Sequence, residues 1–362
     1  MQPILDGITV ILMGYLAFTN FLGSQISSLF TLEETTTVSS SALNNQNPTP
    51  LPSAYSIDVI PNVLLKSARY QSAIVIESET VPKITTTDPL AALVNVYCTF
   101  ITSKNIRTTT GTGFFIDQSG IILTNAHVAQ FLLLEKTNAL GKTDCVIRNG
   151  NPASPRYTAE LLYISPAWVQ ANASLIDAAA PLGTGERDYA LLYVTRTVDG
   201  SPLPKIFPAL AFNTTLVPRD TTDSTVIAAA YPAGALFSQG TNIGLFPKRA
   251  TTTVSQLYTF TSNFADVIGL RGSAVGEQGS SGGPILTTDA RVIGMITTRG
   301  NDERDGAGSL RAITLSHVDR TITEETGTSL RNNVSGDIPY RAKVFADTMS
   351  PFLTNLLTGE LE

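Results

Sequence analysis

From about Leu90 to Ile322 the chain advances in short apolar strings, LVNVYCTFIT, GTGFFID, IILTNAHV, YALLYV, TVIAAAY and RVIGMITT, each broken off by Gly, Asp, Asn or Pro. Their length and their share of β-branched and aromatic residues suit strands rather than helices. Many short strands separated by turn signals leave a sandwich or barrels as the architectures that bury one face of each. The proline-rich DGSPLPKIFP (199–208) is the clearest interruption and divides the region into two halves. No solenoid-length period repeats.

Composition agrees with strands: charged residues are 15% of the chain, against roughly 25% in an average soluble protein. The 362 residues give room for two or three modest domains. A net charge of −6 without a basic cluster argues against nucleic acid as a partner. Cys98 and Cys145 are too few for a disulfide-dense scaffold and lack metal-ligand spacing; a single bridge between them is open if the chain is exported. His127 and His317 are too few for a histidine metal site without carboxylate help, so no metal is expected.

Gly7 to Leu32 carries no charge, and Ile8 to Leu22 is nearly all apolar. A membrane-spanning helix needs about 20 such residues, and the stretch can just supply them. Asp6 precedes it without any Lys or Arg, and no small-x-small cleavage site lies beyond it, which disfavours a secretory signal. Residues 1–32 therefore read as an uncleaved membrane anchor, ahead of a cleaved signal or a buried helix. Residues 33–87, rich in Ser, Thr, Asn and Pro, read as a linker and lead-in, with 35–53 an unpacked tether. In the tail, 326–362, Ser350-Pro351 is expected to cap and begin a terminal helix that Gly359 stops.

GEQGSSGGPIL (276–286) concentrates glycine around two serines. A hydroxyl is a poor nucleophile at neutral pH, so it needs a base in hydrogen-bonding reach and donors for the oxyanion it creates. Glycine before and after Ser281 lets the backbone turn successive N–H groups into one pocket. LTNAHV supplies His127 at the end of a strand-like run, where by itself it reads first as a structural hydrogen-bonder and only second as a catalyst. ERDYALLYV supplies Asp188 just before an apolar run, where a partly buried carboxylate must meet a donor.

Together GTGFFID, TNAHV, DYALL and GSSGGP resemble, in that order, the chymotrypsin-like serine peptidases, and more closely their bacterial trypsin-like or Deg/HtrA branch, over Val94 to Ile322. The resemblance implies an all-β fold of two antiparallel six-stranded barrels, 88–200 and 201–325. It implies a Ser-His-Asp triad of Ser281, His127 and Asp188, with the N–H groups of Gly279 and Ser281 as oxyanion hole. It also implies no cofactor, protein or peptide substrates, and a catalytic domain outside the cytoplasm. The residue six before the nucleophile, Val275, would floor the acyl-side pocket. Thr297 and Thr298 would narrow it and Arg299 would stand at its rim, favouring small or medium aliphatic residues over Lys or Arg. AITLSHVDRTI (312–322) resembles the closing segment of Deg proteases and makes His317 structural.

The sequence also departs from the family. Ser280 stands where digestive members carry an Asp that pairs with a newly cut N-terminus, so activity is expected to need no defined N-terminus. The stretch between His127 and Asp188 is long, placing an insertion in 151–183, where Asp177 is a rival acid. The residues after Ile322 are too few for a PDZ domain. A catalytically inactive binding module and an esterase remain as alternatives, the latter usually carrying its serine in a strand-helix elbow.

Overall fold

The computed structural model describes residues 49–50, 85–101, 106–137, 141–176, 185–239, 244–260 and 263–360. The apolar segment 8–22 and Asp177 lie outside them.

The first half of the string pattern becomes β1 (Leu93–Ile101), β2 (Ile106–Asp117), β3 (Ile121–Thr124), β4 (Lys142–Asn149), β5 (Ser154–Ile164) and β6 (Ala190–Thr197). All their pairings are antiparallel, and they close as a ring in the order β1-β2-β3-β6-β5-β4. The second half becomes β7 (Thr225–Ala230), β8 (Lys248–Thr259), β9 (Val267–Leu270), β10 (Pro284–Leu286), β11 (Val292–Arg299) and β12 (Leu310–Thr314). These too close, as β7-β8-β9-β12-β11-β10. The two rings therefore share one strand order, although the sequence shows no repeat. Closure gives both sheets partners at every edge.

Each barrel has its own apolar filling. Leu93, Val96, Phe114, Ile122, Leu123 and Leu191 belong to a first core, and Val226, Val254, Ile268, Val275, Ile285 and Ile296 to a second. Complete burial of such a side chain stabilises by roughly 1.5–3 kcal/mol, so these fillings outweigh any single polar contact. Cys98 and Cys145 face each other across β1 and β4 and are bridged. The bridge left open by the sequence is thus set by strand register.

Three expectations are corrected. The 151–183 stretch is not an insertion throughout: its first part is β5, a full barrel strand, which the helix α1 (Pro166–Asn172) follows. Within the expected tether, Thr49–Pro50 pairs in parallel with Tyr258–Thr259 of β8, so that part is packed on the second barrel. The tail holds more than one helix. After β12 comes α2 (Leu315–Thr326), capped by the Thr314 hydroxyl and ended by Gly327 at φ 81°, then a short turn at Leu330–Asn333, α3 (Ile338–Thr348) and α4 (Ser350–Gly359). α4 starts one residue earlier than expected, with Met349 as cap and Gly359 as its last residue. Phe345, Met349, Leu353 and Leu357 join the first core, so the tail closes over the first barrel. Among the described residues no helix is long and apolar enough to cross a membrane.

Candidate active site

His127 sits on a single helical turn, Ala126–Ala129, directly after β3, with Asn125 as its cap residue. Asp188 lies in the turn that enters β6 and is almost wholly buried. Its carboxylate receives three donors. Oδ1 accepts the backbone N–H of His127 at 2.9 Å; Oδ2 accepts His127 Nδ1 at 2.7 Å and the Thr297 hydroxyl at 2.8 Å. Asn125 adds a bond from Nδ2 to the Asp188 carbonyl at 2.8 Å. A buried carboxylate needs such donors, and here they also fix the ring: with Nδ1–H given to Asp188, Nε2 is left as the acceptor.

Ser281 comes from the loop before β10, in the second barrel. Two glycines shape that loop. Gly279 and Gly282 have φ of +93° and +88°, a region L side chains avoid. At Gly282 a β-carbon would lie 1.8 Å from the Thr112 carbonyl oxygen, so the nucleophile loop touches the first barrel backbone to backbone. The Ser281 hydroxyl points to the Thr297 carbonyl at 3.5 Å. Ser280, its neighbour, is buried and donates to the Val275 carbonyl at 2.5 Å.

The carbonyl of Gln278 accepts from Ala233 N–H at 2.7 Å, and that of Ser280 from Gly283 N–H at 2.9 Å. In a trans peptide N–H and C=O point opposite ways, so the N–H groups of Gly279 and Ser281 face away from those partners. Neither donates to any acceptor among the described residues. Two free N–H groups beside a serine hydroxyl can receive a developing negative charge.

The structure thus brings His127, Asp188 and Thr297 into contact and sets Ser281 against the Thr297 carbonyl. The Thr297 hydroxyl, on the residue expected to narrow the acyl-side pocket, is bonded to Asp188. Val275 is fully buried in the second core. Arg299 is exposed and 3.8 Å from Asp302. Thr298 is its neighbour on β11, partly buried. His317 is buried elsewhere, its Nδ1 3.2 Å from Asp266, and burial lowers its pKa. Among the described residues no cluster of His, Cys, Asp and Glu could hold a metal. A cavity of about 510 Å³ lined by Glu135, Asp144, Thr158 and Ser350 includes none of the His127, Asp188 and Ser281 cluster.

A family model described as "Trypsin-like peptidase domain" matches residues 111–295, just over half of the chain and inclusive of all three residues. Among curated proteins none matches. Among solved structures, the chain is similar to the Rv3671c protease from M. tuberculosis in its active form, at 16% identity over 81% of this chain and 96% of that one, with a TM-score of 0.41. It is also similar to Deg5, at 18% identity over 66% of this chain and 92% of that one, with a TM-score of 0.41.

Proposed function

The chain belongs to the trypsin-like peptidase family, and from that premise we propose that it is an endopeptidase whose nucleophile is Ser281. Ser281 Oγ attacks the scissile carbonyl while His127 Nε2 takes its proton, then returns it to the leaving amine. The oxyanion is received by the N–H groups of Gly279 and Ser281. Water, activated by the same imidazole, hydrolyses the acyl-enzyme. Asp188 holds the Nδ1–H tautomer and stabilises the imidazolium. The Ser281 hydroxyl is turned to the Thr297 carbonyl at 3.5 Å, so attack requires it to turn toward His127 Nε2; catalytic hydrogen bonds are often loose before substrate arrives.

The observation that carries this reading is the Asp188 carboxylate, which takes both the backbone N–H and the Nδ1–H of His127. His317 also has Nδ1 against a carboxylate, but its Nε2 is buried without a partner among the described residues, whereas the His127 side chain is 19% exposed. The test is labelling by a fluorophosphonate with parallel peptide cleavage. Labelling is expected to survive Ser280→Ala and vanish with Ser281→Ala, whose cleavage rate falls by several orders of magnitude. Labelling lost with Ser280 and kept without Ser281 overturns the assignment; a parent protein that neither labels nor cleaves favours the inactive binding module.

The acyl-side preference we propose is for Val, Ala, Ile or Leu. Val275, the residue that the family resemblance puts behind this pocket, is itself fully buried in the second core and offers no carboxylate, so a Lys or Arg directed toward it would lose water without gaining a partner, which costs several kcal/mol. A cleavage profile of a denatured protein mixture dominated by cuts after Lys or Arg would refute it. Because the Ser280 hydroxyl is committed to Val275, we also propose activity without a processed N-terminus. The uncharged run 7–32 supports a membrane tether, and the Ser/Thr/Asn/Pro-rich stretch after it, with the family resemblance, supports a catalytic domain outside the cytoplasm; a domain shielded from added protease in intact cells would count against that.

A further inference from the structure

GTGFFID marks the strand that leads to the histidine, and its second residue has no part in the proposed mechanism. Thr112 is nevertheless fully buried and makes four hydrogen bonds at the junction of the two barrels. Its N–H donates to the Ser281 carbonyl at 2.7 Å. Its hydroxyl donates to the Gly279 carbonyl at 2.8 Å and accepts the Tyr231 N–H at 2.9 Å. Its carbonyl accepts the Thr124 hydroxyl at 2.7 Å. A hydroxyl has one proton to give. The Tyr231 N–H can only donate, so that proton goes to Gly279.

Resting on the reading of Gly279 and Ser281 as the oxyanion hole, we infer that Thr112 is a positioning residue whose hydroxyl holds the hole open. Gly279, at φ +93° and without a β-carbon, is the soft joint of the loop. The peptide before it is held through the Gln278 carbonyl by Ala233 N–H. The peptide after it is held at both ends, the Gly279 carbonyl by Thr112 and the Ser280 N–H by the Glu277 carbonyl at 3.2 Å. With both planes fixed, the Gly279 N–H has one direction. Loss of the hydroxyl frees the second plane and leaves two backbone groups, the Gly279 carbonyl and the Tyr231 N–H, buried without that partner. An unsatisfied buried group is costly enough to turn a glycine to another conformation. The first barrel thereby sets the electrostatics of a loop that belongs to the second.

The test compares Thr112→Val, close in shape but without the hydroxyl, with Thr112→Ser, which keeps it, and Thr112→Ala, a smaller form that guards against misfolding from the added methyl. Thr124→Val is the control, because its hydroxyl is equally buried yet reaches only the Thr112 carbonyl. The readouts are kcat and KM on a peptide, affinity for a peptide boronate that mimics the tetrahedral intermediate, and thermal stability. Thr112→Val and Thr112→Ala are expected to lower kcat and boronate affinity together by about 100-fold, the scale of an angstrom-sized misplacement, with KM little changed. Thr112→Ser is expected to restore both. Thr124→Val is expected to lower stability without that paired loss. Parent-like kcat and boronate affinity in Thr112→Val, or an equal paired loss in Thr124→Val, overturns the inference while the peptidase reading stands. A parent protein that neither cleaves nor labels overturns both.

Discussion

Arg187 and Glu325, 138 positions apart in the chain, form a buried ion pair at 2.6 Å immediately beside the acid of the site. Arg187 has φ +56°, a strained conformation for a non-glycine residue. Its other terminal nitrogen reaches Glu324 at 2.7 Å. Glu325 is further bound by the Ser165 hydroxyl at 2.9 Å and by the Tyr163 hydroxyl. Burial pushes the Glu325 carboxyl up, and the Arg187 guanidinium opposes that shift. Helix α2, which comes after the second barrel, thus pins the loop of the first barrel that ends in Asp188.

Glu325→Gln should therefore cost more than an ordinary surface change. Breaking one side of a buried pair costs about 3–5 kcal/mol where the other charge is stranded, and less here because Arg187 keeps Glu324, whereas replacing both by apolar groups is often near neutral. Urea unfolding is expected to show a large loss for Glu325→Gln and substantial recovery in the double variant Arg187→Met, Glu325→Leu. The double variant should still show lowered kcat, because Asp188 loses the anchor of its neighbour. Equal stability of the single and double variants would refute the pairing.

Thr297→Val removes one of three donors to the Asp188 carboxylate. Hydrogen bonds to charged groups are worth about 1.5–3 kcal/mol, so kcat/KM is expected to fall on the order of 10- to 100-fold. Because that hydroxyl is turned to Asp188, the order of preferred acyl-side residues should not change. A cleavage profile altered at unchanged rate would return Thr297 to the pocket.

Ser280→Ala deletes a buried hydrogen bond to Val275 at a cost of about 1 kcal/mol. Differential scanning should register a lower melting temperature, with fluorophosphonate labelling retained.

Glu135 supplies a pH test. Burial raises its carboxyl from 4.5 to about 7, against the Cys145 N–H that binds it, with Asp144 and Glu160 also raising it and Lys136 opposing. A group raised on folding stabilises below its unfolded value and loses that contribution as pH climbs through the folded one. Wild type should lose melting temperature relative to Glu135→Gln between about pH 5 and pH 8. A difference constant across that range would contradict the shift.

The barrel strands are readable because each string carries its own turn signals, and the glycines around Ser281 because the loop's backbone demands them. What escapes a reading of the sequence is decided by distant partners. SPRYTAELLYI holds good helix formers and a polar first half, yet it becomes β5 because β4 and β6 flank it on both edges. Pairing overrides local propensity. The sequence puts Thr297 near the cleft, but alternation along a strand names a face and not a neighbour; Asp188 is 109 positions away. The Cys98 bridge depends on register, and the Arg187 pair on a helix after the last barrel strand.

That late helix also bears on how the chain is made. A ribosome finishes His127, Asp188 and Ser281 before it reaches Glu325, so a nascent chain can hold every reacting group while Arg187 still lacks its counter-charge. Until α2 emerges and docks, the acid turn has no reason to settle in its strained form. On that order of synthesis the turn that carries Asp188 gains its buried ion pair last, after the strands of both barrels have been made.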